Sequence, residues 1–211
     1  MSFFCNFQSD RCPGAISGNP LNGLCEKVCV TATKVFDACM QQTQLSGIVL
    51  NLTDLTPANP TYPLTFVSAK NSTSSGVISN LLVEPLPERP KCSRVKFDIA
   101  IPVTVAYTDA NGVEGVGVSS VTVSKDVILN VPKASIMPYE VRADVSLVST
   151  LGTYTAENQF TIDCCISVIV KIVMDVDLLV PSYGYVAMPP CQEYTEEVCQ
   201  GFFELPVYPE L

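Results

Sequence analysis

Residues 162 to 181, IDCCISVIVKIVMDVDLLVP, constrain the fold more than any other stretch. The even positions, Ile162, Cys164, Ile166, Val168, Val170, Ile172, Met174, Val176, Leu178 and Val180, are all apolar. The odd ones include Asp163, Cys165, Ser167, Lys171, Asp175 and Asp177. A period of two over this length sets one face of a long β-strand against a core, whereas a helix would scatter the same residues around its circumference. β-branched residues dominate, as strands prefer. A membrane-spanning helix would have to bury Lys171, Asp175 and Asp177 at ~3 kcal/mol each. On the strand Cys164 points inward as a small buried apolar residue, and Cys165 points outward. The two cannot bond to each other without disrupting the strand, so Cys165 needs a partner elsewhere in the chain or on another molecule.

The same alternation recurs upstream. From Arg94 the odd positions Val95, Phe97, Ile99, Ile101, Val103, Val105 and Tyr107 are apolar, and Asn111-Gly112 then signals a hairpin. The return strand carries Val116 and Val118, then Val121, Val123, Val127, Leu129 and Val131. Its parity changes at Ser119-Ser120, which predicts a β-bulge. Pro102 and Pro132 are expected at strand edges or ends. A second hairpin begins at Tyr139, Val141, Ala143, Val145 and Leu147, and STLGTY (149–154) is expected to turn the chain into the long strand. LSGIVLNL (45–52), LTFVSA (64–69) and GVISNLLVEPL (76–86) read as further strands. Residues 24–42 fit strand and helix patterns alike; a strand with a helical turn after Phe36 is the preferred reading.

The expected fold is therefore all-β, an antiparallel β-sandwich or barrel-like domain with long hairpins. Its core spans 23–185, either whole or as two packed subdomains of about 23–90 and 91–185. The ends lack alternation and are rich in Pro, Gly, Asn and Glu, so 1–22 and 186–211 read as extended arms, each bearing two cysteines. A chain of 211 residues removes roughly 70% of its unfolded surface from water on folding. Such a core does not need disulfides.

Charge and composition exclude several classes. A net charge of −9 without a Lys/Arg cluster argues against nucleic acid and anionic membrane as partners. Charged residues make up only 16%, below the ~25% of typical soluble domains, which points to faces covered by partners. The chain contains neither histidine nor tryptophan. Without histidine the commonest general base, the Ser-His and Cys-His nucleophile pairs and the commonest metal ligand are all missing, so no enzymatic activity and no cofactor are expected. The opening MSFFCNFQSDRCPG has neither a basic n-region nor an apolar signal stretch, and synthesis in a cytoplasm is the expectation. The ten cysteines conflict with a reducing compartment unless the protein is exposed to oxidant later.

Each candidate site has a plainer competitor. Cys25, Cys29 and Cys39, with Cys5 and Cys12 upstream, offer thiolates to zinc at C-x3-C spacing, but a second close pair is missing and no histidine completes a set. Disulfides are the better reading and no metal is expected. Asp109, Asn111 and Glu114 superficially suggest calcium; the segment is too short for a calcium loop and reads as a solvated hairpin tip. Asp175 and Asp177 share a strand face and read as solvent-facing charges, not as a catalytic pair. NLTD and NSTS match glycosylation sequons, a pattern frequent by chance. The distribution of thiols remains: Cys5, Cys12, Cys191 and Cys199 in the arms, Cys165 on an outer strand face, and Cys25, Cys29, Cys39 and Cys92 as further candidates for structural or intermolecular disulfides. Only Cys164 reads as a buried thiol.

The run RVKFDIAIPVTVAYTDANGVEGVGVSSVTVSKDVILNVPKASIMPYEVRADVSLVS, with DVDLLVPSYGY and PPCQEY, resembles clostridial cysteine-rich spore-surface proteins with spore-coat-type β domains. CVTATKVFDACMQQ is similar to a K-V-[FY]-D-x-C stretch of that group, and the likeness covers about 22–195. The resemblance implies a self-assembling structural component of coat, exosporium or spore appendage. It would be made in the mother-cell cytoplasm without a signal peptide, then oxidised at the spore surface, with itself and other spore-surface proteins as partners. Two other classes compete: a monomeric β-sandwich adhesin or carbohydrate-binding module with intrachain disulfides, weakened by the missing tryptophan, and a Cys-ligated metal-binding protein.

Overall fold

A computed structural model describes residues 18–187. The expected arms therefore lie outside the described residues, apart from 18–22 and 186–187. Eight strands make up the fold: β1 (Glu26–Asn51), β2 (Thr53–Thr56), β3 (Thr65–Asn71), β4 (Val77–Pro85), β5 (Cys92–Thr108), β6 (Glu114–Asn130), β7 (Glu140–Ala156) and β8 (Gln159–Ser182). They form one antiparallel sheet in the order β1-β8-β7-β3-β5-β6-β2, with β4 also on β5. The molecule is all-β, as the alternation predicts, and the sheet is not closed by backbone pairing.

The described residues divide into two compact units, one of 31–176 and a second made of 18–30 with 177–187. In the first, the inward faces of the strands share one core. It is filled by Val95, Ile99, Ile101, Val103, Val105 and Tyr107 of β5, Leu147 of β7, and Ile162, Val168 and Ile172 of β8, all almost wholly buried. Phe160 anchors an aromatic group, with its ring 5.5 Å from Phe66 and 6.0 Å from Tyr154. In the described part of the second unit, Cys25 N donates to Ser182 O at 3.1 Å. Tyr183 Oη there donates to Pro20 O, and its ring lies against Gly23.

Several local expectations are corrected. No helical turn follows Phe36, because β1 runs unbroken through it. Instead β1 changes its inward parity near Gly47: Cys39 and Leu45 pack on the core before it, Ile48 and Leu50 after it. Gly47 has φ 71°, and its N–H donates to Asp163 Oδ1 at 2.9 Å, which holds the irregularity against β8. There is no bulge at Ser119-Ser120, since β5 and β6 stay in register from Cys92↔Asn130 to Thr108↔Glu114. The inward positions at this end are Gly115 and Gly117, while Val116 and Val118 face out. A side chain at Gly115 would sit 2.5 Å from the Tyr107 ring, and one at Gly117 would sit 2.9 Å from Leu55. The large neighbours fill the space, so the apolar residues of β6 slip to the other face there.

The expected turn at 149–154 is also displaced. β7 continues to Ala156, the reversal uses Glu157 and Asn158, and the 149–151 region is a register shift against β8. Gly152 in that stretch makes room for the Phe66 ring, 2.6 Å from where a Cβ would be. Pro102 lies in mid-strand, not at a strand end. Its carbonyl accepts from Ser72 N at 2.9 Å, so its missing N–H faces the break where β4 stops pairing with β5 at Val77↔Ala100 and β3 begins at Asn71↔Val103. At that break Asn71 completes the sheet with its side chain: Leu147 N donates to Oδ1 at 2.9 Å and Nδ2 donates to Val145 O at 3.3 Å. Along β8 the expected inward face holds to Ile172; beyond it Leu178 is exposed.

Candidate functional site

The outer surface of the sheet is set by register. Cys165 of β8 pairs with Val148 of β7, Val148 with Lys70 of β3, Lys70 with Thr104 of β5, and Thr104 with Val118 of β6. This row crosses five strands on the face away from the core. Cys165 is exposed on it, in an open depression lined by Gln42, Gln44, Ser146, Val148 and Ser167. Val148, Val67, Val116 and Leu151 are large apolar residues with 55%, 51%, 44% and 67% of their surface in solvent, so the face is patchily apolar.

The six described cysteines are all free thiols. Cys25 and Cys29 are exposed in the smaller unit, where Cys25 Sγ donates to Ser182 O at 3.5 Å. Cys165 is exposed, Cys39 and Cys92 are half-buried, and Cys164 is buried within the core as its parity predicts. Burial, followed by the charges of Cys165 and Asp163, pushes the Cys164 thiol up, so it stays protonated and unreactive at neutral pH. Cys5, Cys12, Cys191 and Cys199 lie outside the described residues. Among the described residues no three Cys, Asp or Glu side chains converge as a metal site would require, and no helix is long and apolar enough to cross a membrane.

The tip of the β5–β6 hairpin is solvated from Ala110 to Glu114, as its composition suggests, except at its first residue. Asp109 is buried. Its Oδ1 accepts from Asn111 N at 2.8 Å and Val113 N at 2.9 Å, and its Oδ2 accepts from Thr61 N at 3.1 Å. These backbone donors, Val113 foremost, hold the carboxyl below the usual carboxylate range. Asp109 is thus a clasp that ties the hairpin to the loop before β3. Asp175 accepts a hydrogen bond from Thr33 Oγ1 at 2.6 Å, a link between β8 and β1.

Sequence reasoning missed a second locus, the seam between β1, one edge of the sheet, and β6. β1 ends the sheet on one side, yet Asp37 Oδ2 accepts from Asn130 N of β6 at 2.6 Å and Lys125 Nζ of β6 donates to Gln41 Oε1 at 2.9 Å. Side chains therefore bridge a gap that no backbone ladder spans. Lys125 belongs to the inward parity of β6 and is only 7% exposed. Burial pulls its pKa down, opposed by the Cys39 thiol; Cys39 itself is pushed up by burial first and then by Asp37. The signal was legible as the one charged residue at an inward odd position between Val121 and Leu129. Compared with protein-family models, with curated proteins and with solved structures, the chain gives no match.

Proposed function

We propose that this protein is a self-assembling structural component of the bacterial spore surface, made in the mother-cell cytoplasm and crosslinked by disulfides between copies once oxidised. The observation that carries the reading is the placement of Cys25, Cys29 and Cys165, whose thiols stand exposed while the core is built from apolar residues that do not need them. A thiol on an outward sheet face can bond only to a residue brought to it, and a neighbouring copy brings the same thiols at high local concentration. The resemblance of the 94–149 run to clostridial spore-surface proteins supplies the location. No catalytic role is proposed.

Electrophoresis of oxidised protein with and without reductant, with electron microscopy of the same material, tests the reading. The expected result is a ladder of reductant-sensitive multimers that appear as ordered fibres or sheets. A clean oxidised monomer with every thiol paired internally would overturn it and favour the adhesin-like alternative.

A further inference from the structure

We propose that Lys125 and Gln41 are the two halves of an intramolecular isopeptide bond that closes the seam between β6 and β1. Lys125 Nζ donates to Gln41 Oε1 at 2.9 Å, so the amine meets the oxygen bonded to the carboxamide carbon it would attack. The partner is chemically unusual for this molecule. Arg94, Lys96, Arg142 and Lys171 each meet a carboxylate, Asp126, Glu84, Glu140 and Asp144 respectively. Among the described residues Lys125 has no carboxylate in ion-pair range, although it is the buried cation of the set. A buried ammonium facing a neutral amide keeps its desolvation cost without an opposite charge to offset it. Conversion to an amide removes the charge altogether.

The chemistry balances without oxidant or cofactor. The neutral amine of Lys125 attacks Cδ of Gln41; a bond forms between Nζ and Cδ, the bond from Cδ to Nε2 breaks, and the departing nitrogen takes up the proton lost by the amine and leaves as ammonia. Burial favours the neutral, nucleophilic form of Lys125. Solvent at the exposed Gln41 can relay the proton from the amine to the leaving nitrogen. Gln41 is on the exposed side of the gap, so ammonia escapes to solvent. The product would join two strands that share no backbone hydrogen-bond ladder, the place in this sheet where a covalent tie adds most to resistance against opening.

The test is the intact mass of protein folded and incubated under reductant at neutral to mildly alkaline pH, then denatured and alkylated. Reduction removes any contribution from disulfides between copies, so the outcome is independent of the assembly reading. The expected mass is that of the sequence less one ammonia, and fragmentation should give a branched peptide joining Lys125 to Gln41. Gln41→Ala, at an exposed position, should fold and retain the full mass; Lys125→Arg should also retain it. The rate should rise with pH as Lys125 loses its proton. A folded wild-type chain of full mass, with Lys125 and Gln41 recovered in separate peptides after prolonged incubation, would overturn the proposal.

Discussion

Asp109 shows how one side chain can replace several turns of backbone pairing. It satisfies three backbone N–H groups, two within its own hairpin and one from Thr61. Asp109→Asn keeps the shape but offers one acceptor oxygen in place of two, so the urea midpoint at neutral pH should fall. The pH dependence follows from the lowered pKa. A carboxyl depressed in the folded state stabilises above its unfolded value and loses that contribution as pH falls below about 4 through the folded value. The gap between wild type and Asp109→Asn should therefore narrow under acid; a gap that stays constant from neutral to acidic pH would show the carboxylate is not the source. Tyr107 is the opposite case. Its ring is fully buried, its hydroxyl finds no hydrogen-bond partner among the described residues, and burial raises its pKa. An unsatisfied buried hydroxyl costs about 1–3 kcal/mol, so Tyr107→Phe should leave stability unchanged or raise it by about 1 kcal/mol in equilibrium unfolding. Neither role was legible in sequence, because "DANG" and a tyrosine at an inward position look alike whether or not partners converge on them.

At the scale of the strand, parity was legible wherever both neighbours were full-sized. Val95 to Tyr107 and Ile162 to Ile172 face the core as their alternation requires. It failed where a glycine holds the inward position, because hydrophobicity then marks the wrong face. Gly115, Gly117 and Gly152 each leave room for a bulky side chain from another strand, Tyr107 of β5, Leu55 of β2 and Phe66 of β3 respectively. A valine on either side of such a glycine imitates a bulge, as Val116 and Val118 did. The spatial pairing of Tyr107 with Gly115 comes from register, which a single sequence does not print. Gly115→Ala places a Cβ against the rigid Tyr107 ring and should cost about 1–3 kcal/mol, read from the shift in denaturant midpoint. The double variant Gly115→Ala with Tyr107→Leu should recover part of that loss, since the clash is with the ring. Full additivity of the two changes would instead mean that the glycine serves the backbone.

For the whole molecule, the free thiols make the fold and the proposed crosslinking separable. The main unit buries its apolar faces through register and packing, and the Cys164 sulfur sits within that core while Cys165, one residue on, stands outside it. Adjacent residues of identical chemistry thus report different events. A thiol reagent should label Cys25, Cys29 and Cys165 of the reduced native protein at the rate of an exposed thiol. Cys39 and Cys92 should lag, and Cys164 should react only when the sheet opens. With ordinary domain stability of 5–15 kcal/mol, that opening is populated by less than about one molecule in 1,000, so Cys164 should label at least about 1,000-fold more slowly than Cys165. Denaturant should collapse the difference in step with unfolding, and reductant should leave the melting temperature of the core unchanged. If Cys164 instead reacts at the pace of Cys165 in native buffer, β8 separates from the core without global unfolding. The sheet would then depend on its neighbours in an assembly for its own integrity, and crosslinking would be a condition of folding and not a step after it.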